Sequence, residues 1–194
     1  MAISSRDLTN ALVDALKQEL DGLVQRGVRM TGNATSSIVL VKGELNQEER
    51  AGGELLAGND GAALRAALTR LGWPPEDCCC LAAVAGEGET GHAAADTGEL
   101  LPAEVFREAL EALDPEAVVL LDNTAAHAMR EAYGDALAQI EQFDEAMLKP
   151  GLVAHVLGRR VLALDGFEAS LASPREKQRM WAYLKQLPPL GAPY

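Results

Sequence analysis

The sequence predicts an α/β domain: a three-layer α/β/α sandwich around a mainly parallel central sheet. Three observations lead there. Short apolar runs alternate with amphipathic stretches, the order expected of parallel βαβ units covered on both faces. Hydrophobic residues make up 48% of the chain, enough for a buried core, whereas aromatics are only 4%, so Leu, Val and Ala must do the packing. The 194 residues fit one domain with an addition: residues 1–35 as an N-terminal helical extension packed on the domain, and 36–194 as the α/β domain itself.

From Arg6 to Gln25, Leu8, Leu12, Ala15, Leu16, Leu20 and Leu23 recur at three- and four-residue steps, which predicts an amphipathic helix ended by Gly27 and Thr31-Gly32-Asn33. Ser37 to Val41 is a short apolar strand closed by Lys42-Gly43, and a loop rich in Gly and Glu runs from Glu44 to Asn59. Asp60 is placed to cap a helix from Gly61 to Leu71. Pro74-Pro75 breaks the chain before a second strand, Cys78 to Val84. Ala85 to Gly98 has no apolar period and reads as a loop. Pro102 opens a helix through Leu113; Ala117 to Leu121 is a third strand; Thr124 to Tyr133 is a helix capped by Asn123. A helical piece follows over Ala136 to Leu148. Two strands, Leu152 to Val156 and Val161 to Leu164, are joined by a Gly158-Arg159-Arg160 turn. Ser173 then caps a last helix through Leu187, with Pro174 at its first position and Glu176 at its third. In such a sheet the site lies where loops leave the carboxyl ends of the strands, here after Val41, Val84, Leu121 and Leu164.

Charge narrows the function. A net charge of −12 disfavours DNA binding, which draws affinity from a basic surface, although Arg159, Arg160, Arg175, Lys177 and Arg179 cluster late. It favours solubility or a basic protein partner; a homo-oligomer is the other association expected of a binding module. The three cysteines, Cys78, Cys79 and Cys80, are consecutive and cannot supply the spacing of a zinc or iron–sulfur site, so no metal or other cofactor is expected. On a strand, Cys79 faces away from the other two. Buried thiols, no signal-peptide pattern and no membrane-length apolar run lead to the expectation of a cytoplasmic protein without membrane association.

Gly43 to Val84 retains Gly43-Glu44, Gly58, Gly61, Leu71-Gly72 and Glu76-Asp77 in order. This stretch resembles the first half of a bacterial uracil-DNA glycosylase domain, in which a strand ends in a Gly-Glu turn, a Gly-containing loop leads to a helix ending in Leu-Gly, and an acidic residue precedes the second strand. Glu108 to Met129 resembles that family's third strand and Thr-Ala-Ala helix start, and Ser173-Pro174 followed by Trp181 resembles its C-terminal Asn-Pro…Trp segment. The resemblance covers about residues 36–187 and implies a uracil-DNA glycosylase-like fold.

It also locates the departures. Glu44 matches the water-activating acid, and is the catalytic candidate. Leu56 stands where an aromatic would stack on uracil, Ala82 where an Asn would read it, and Gly166 where a His would stabilise its oxygen; Asp122 replaces a Gly after the third strand. N-glycosidic cleavage needs an activated water, a donor to the departing base and a pocket that holds it. Ala, Gly and Leu supply none of these. As a loop carboxylate beside Glu48, Glu49 and Glu54, Glu44 reads more readily as an ordinary solvated acid. Asp122 either faces the cleft or helps Asn123 cap its helix, and Asp165 is a replacement acid without a visible partner. His92, His127 and His155 have no ligand-spaced neighbour, and Gly86 to Gly91 (GEGETG) lacks the Lys and following helix of a phosphate loop. The ligand-binding candidates are thus Leu56, Ala82, Asp122, Asn123, Asp165 and Gly166. Three readings follow: a degenerate glycosylase-like binding or interaction module without glycosylase activity; a divergent glycosylase or hydrolase using Glu44, Asp122 or Asp165; or an unrelated doubly wound nucleotide-binding fold.

Overall fold

The computed structural model describes residues 5–74, 78–89 and 91–191, with side chains from residue 11 onward. Pro75, Glu76 and Asp77, and the side chain of Leu8, lie outside the described residues.

Six strands form one mixed sheet. They are β1 (Met30–Gly32), β2 (Ile38–Lys42), β3 (Cys79–Ala82), β4 (Ala117–Leu120), β5 (Val153–Val156) and β6 (Arg159–Ala163), in the order β1-β3-β2-β4-β6-β5. The four inner strands run parallel, and β1 and β5 add antiparallel edges. The expectation of a mainly parallel sheet is corrected by these edges. β5 reaches β6 through a tight turn at Leu157-Gly158, which permits only antiparallel pairing. β1 was hidden because three residues reading Met-Thr-Gly carry no alternation; Met30 nonetheless pairs with Leu81, and Gly32 with Cys79.

The inner strands β2, β3 and β4 are buried along their whole length, as parallel strands covered on both faces must be. Their side chains alternate between two cores. On one face Val39, Val41, Cys79, Leu81, Val118 and Leu120 pack with α4 (Ala103–Leu113) and α5 (Asn123–Ala132). On the other, Ile38, Leu40, Cys80, Ala82 and Val119 pack with α3 (Asn59–Arg70) and α9 (Pro174–Leu184). Cys79 and Cys80 therefore point to opposite faces, and burial, with Cys78 beside it, pushes the Cys79 thiol up to about 12.

α1 (Ser5–Gln25) is held to the body at its C-terminal end, where Leu23 is buried in the first core and Leu20 packs against it. Leu12, Val13 and Val24 are exposed. The shorter helices are α2 (Gln47–Arg50), α6 (Gly134–Leu137), α7 (Phe143–Ala146) and α8 (Phe167–Ser170). The predicted loop after β2 thus contains a helical turn, and the predicted piece over 136–148 is two.

Three caps differ from expectation. The N-cap of α3 is Gly58, and Asp60 lies inside the first turn, where a buried lysine claims its carboxylate. The cap of α5 is Asp122, whose Oδ1 accepts from the Ala125 N–H at 2.8 Å, and Asn123 is already helical. Ser173 stands at the N-cap of α9, but its side chain makes no capping bond, and the helix stops at Leu184. Pro174 does occupy its opening position.

Candidate functional site

At the carboxyl ends of the inner strands a cleft of about 350 Å³ opens, bordered by Lys42, Glu44, Asn46, Arg50, Asp60, Asp122, Gly166, Phe167 and Glu168 among others. This is where a parallel sheet places its ligands.

Lys42 forms its floor. It ends β2, is 3% exposed, and its ammonium meets three carboxylates: Asp60 at 2.7 Å, Glu49 at 2.9 Å and Glu168 at 2.9 Å. An ammonium carries three N–H donors, so this one is fully engaged. Burial alone would lower its pKa, but the hydrogen bonds to Asp60, Glu49 and Glu168 outweigh it and raise the value above 10.5. The acids are anchored in turn. Glu49, 1% exposed, closes a capping box with Asn46 at the start of α2, and its Oε1 accepts from the Leu56 N–H at 2.8 Å. Asp60 sits in the first turn of α3, where the helix dipole favours a carboxylate.

Asp122 closes the far wall. Its Oδ2 accepts from the Gly43 and Glu44 N–H groups at 2.9 and 3.0 Å, while Oδ1 caps α5. One carboxylate therefore ties the β2 loop to the next helix. The crossing demands glycine at 43, because a Cβ there would stand 2.5 Å from Cβ of Thr124 and 2.8 Å from the Ala125 nitrogen. Glu44 itself is exposed at the rim. Partial burial, followed by repulsion from Asp122, raises its pKa above the ordinary carboxylate value.

The cleft brings together Glu44, Asp122 and Gly166 from the sequence candidates. It leaves out the other four. Leu56, 1% exposed, and Ala82, 0%, are packed in the second core rather than lining an opening. Leu56 has φ 55°, a strained value for a bulky residue, held by Glu49 on its N–H and by Arg65, whose Nη2 donates to its carbonyl at 2.9 Å. Asn123 is exposed away from the cleft lining, and Asp165 is exposed and paired with Arg179 at 3.4 Å. His92, His127 and His155 are all exposed.

Sequence reasoning missed Lys42, Glu49, Asp60, Glu168, Arg50 and Phe167. In sequence Lys42 only closes a strand, Glu49 belongs to a Glu-rich loop and Asp60 stands at a helix start, while nothing near Glu168 marks it. The spacing Asn46…Glu49 was the one legible signal, since a capping box places both residues at a helix start. Chemically, the cleft offers the rim carboxylate of Glu44, a second exposed carboxylate on Glu168 that is paired with the locked Lys42 ammonium, the exposed Arg50 guanidinium, and the half-buried Gly166 with no side chain. Among the described residues no group of His, Cys, Asp and Glu is arranged to hold a metal ion, and no helix is long and apolar enough to cross a membrane. No protein-family model matches the chain, and no curated protein matches it either.

Proposed function

We propose that this chain is a uracil-DNA glycosylase-like protein in scaffold only, serving as a binding or interaction module without glycosylase chemistry. The observation that carries this reading is the burial of two positions where the resemblance expects contacts to a base: Leu56 and Ala82 lie in the core, and neither lines the cleft. Two further features support it. The cleft's one lysine is neutralised by three carboxylates and cannot turn to a departing oxygen without leaving Glu49 and Asp60 buried and unpaired. A net charge of −12 and an acid-lined cleft suit a basic protein partner, or a basic face of a second copy, better than a phosphate backbone.

A second reading rests on Glu44, an exposed rim acid with a raised pKa: a divergent hydrolase using it as general base. One experiment separates the two. Uracil- and hypoxanthine-containing oligonucleotides, single- and double-stranded, are incubated with excess protein and scored for base release. The binding reading expects no release above the uncatalysed rate. Robust release, abolished in Glu44→Gln, would establish the second reading instead.

A further inference from the structure

A second cavity of about 320 Å³ adjoins the cleft and shares Arg50 with it. Its lining is Arg29, Arg50, Ala51, Gly52, Gly86, Glu87 and Thr97. That volume falls in the range of about 300–1,000 Å³ typical of small-molecule sites.

Both guanidiniums are fixed in place by neutral acceptors. Arg29 lies in the link from α1 to β1, and its carbonyl accepts from the Ala82 N–H at 2.9 Å, so its backbone is tied to β3. Its Nη1 donates to the Glu49 carbonyl at 2.7 Å and its Nη2 to the Gly53 carbonyl at 2.6 Å. Arg50 donates from Nε to the Leu45 carbonyl at 2.7 Å. Among the described residues neither forms an ion pair with a carboxylate. Elsewhere on this acidic chain Arg26, Arg107, Arg159, Arg160 and Arg179 do, whereas Arg65 and Arg130, like this pair, bond to backbone carbonyls instead. Of the five N–H donors on each guanidinium, Arg29 uses two in this way and Arg50 one. The result is two oriented positive charges with most of their donors unspent, opposed by a single carboxylate, Glu87, on the rim.

Gly86 explains how Arg29 is held. The Arg29 stem crosses directly over it, and a Cβ at 86 would overlap Cδ and Cγ of Arg29. Gly86 thus seats an arginine supplied from another part of the chain.

We infer that the cavity between Arg29 and Arg50 is a binding site for a small phosphate monoester. Two guanidiniums match the charge of a monoester dianion, and their planar forks suit its oxygens. The site stands on its own cavity: base release by the protein would overturn the preceding reading and leave this one intact.

Calorimetric titration of the full chain at constant ionic strength tests it, with inorganic phosphate, a sugar phosphate monoester and a short phosphodiester oligonucleotide as separate probes. Saturable binding of phosphate and of the monoester is expected, weakened roughly tenfold or more in Arg50→Gln, as befits loss of a charge-assisted pair. Arg29→Gln should do the same, and Gly86→Ala should weaken binding by displacing Arg29 while keeping its charge. Arg50 is exposed, so its variant reports even where the Arg29 and Gly86 variants fail to fold. Arg70→Gln, on the exposed end of α3, should leave binding unchanged. No saturable binding, unchanged binding in Arg50→Gln, or equal loss in Arg70→Gln would overturn the proposal. So would tighter binding of the diester oligonucleotide than of the monoester.

Discussion

Lys42 and the pair Arg29–Arg50 border neighbouring cavities, yet their charges are handled in opposite ways. Lys42 is buried and meets three carboxylates, so every donor is consumed and its charge is cancelled inside the fold. Arg29 and Arg50 rest on backbone carbonyls, which fix the guanidiniums without cancelling them. Glu49 belongs to both arrangements: its carboxylate binds Lys42 and its carbonyl accepts from Arg29. The contrast teaches that burial and partner identity act together: buried carboxylates cancel the charge of Lys42, whereas backbone carbonyls nearer the surface leave those of Arg29 and Arg50 available to a ligand.

The contrast breaks first at Lys42. Lys42→Met should destabilise the protein by about 3–5 kcal/mol in urea denaturation at pH 7, because Glu49 and Asp60 are left buried without their cation. The pH dependence follows from the raised Lys42 pKa. Its stabilisation is complete below the unfolded value near 10.5 and is lost as pH rises through the higher folded value. Wild-type stability should therefore fall above about pH 10.5 by an increment that Lys42→Met lacks.

Next in size is Asp122→Ala. It removes the α5 cap and the clamp on the Gly43 and Glu44 N–H groups, for about 2–4 kcal/mol in the same assay. A loss under 0.5 kcal/mol, roughly that of an ordinary surface change, would show that the β2 loop holds its shape without the clamp.

The smallest effects belong to the exposed groups. Arg50→Gln should stay within about 0.5 kcal/mol of wild type, since its one bond is to a carbonyl near the surface. Glu44→Gln should be as stable as wild type at pH 7, or slightly more so. A carboxylate with a raised folded pKa loses stability as pH rises through its titration, and the amide escapes that loss. The two proteins should converge below about pH 4.5, where Glu44 is protonated in both states. A marked destabilisation at pH 7 would mean that Glu44 makes a contact beyond the rim.

Much of the fold was legible because it depends on periodicity. The inner strands and α1, α3, α4, α5 and α9 announce themselves through apolar spacing, and the opposed faces of Cys79 and Cys80 follow from strand geometry alone. What escaped has no period. β1 is three residues whose pairing is decided by β3, and α2 is one turn stabilised by a capping box. The site was legible in location but less so in membership. Glu44, Asp122 and Gly166 were singled out through the family resemblance, and Glu44 and Asp122 also by their positions at strand ends. Lys42 was missed because a lysine at a strand end is ordinarily solvated, and only the fold brings Glu168 to it across 126 residues. Leu56 and Ala82 show the converse: residues expected to line an opening lie in the second core, where their apolar side chains are packed.

The most direct test of the contrast is the shift in urea midpoint caused by about 20 mM inorganic phosphate, at matched ionic strength, in wild type and Arg50→Gln. With a Kd on the order of 1 mM, phosphate should stabilise wild type by about 1.8 kcal/mol. Arg50→Gln should start from nearly the same midpoint and gain little. Equal shifts in both proteins, or none in either, would contradict the account.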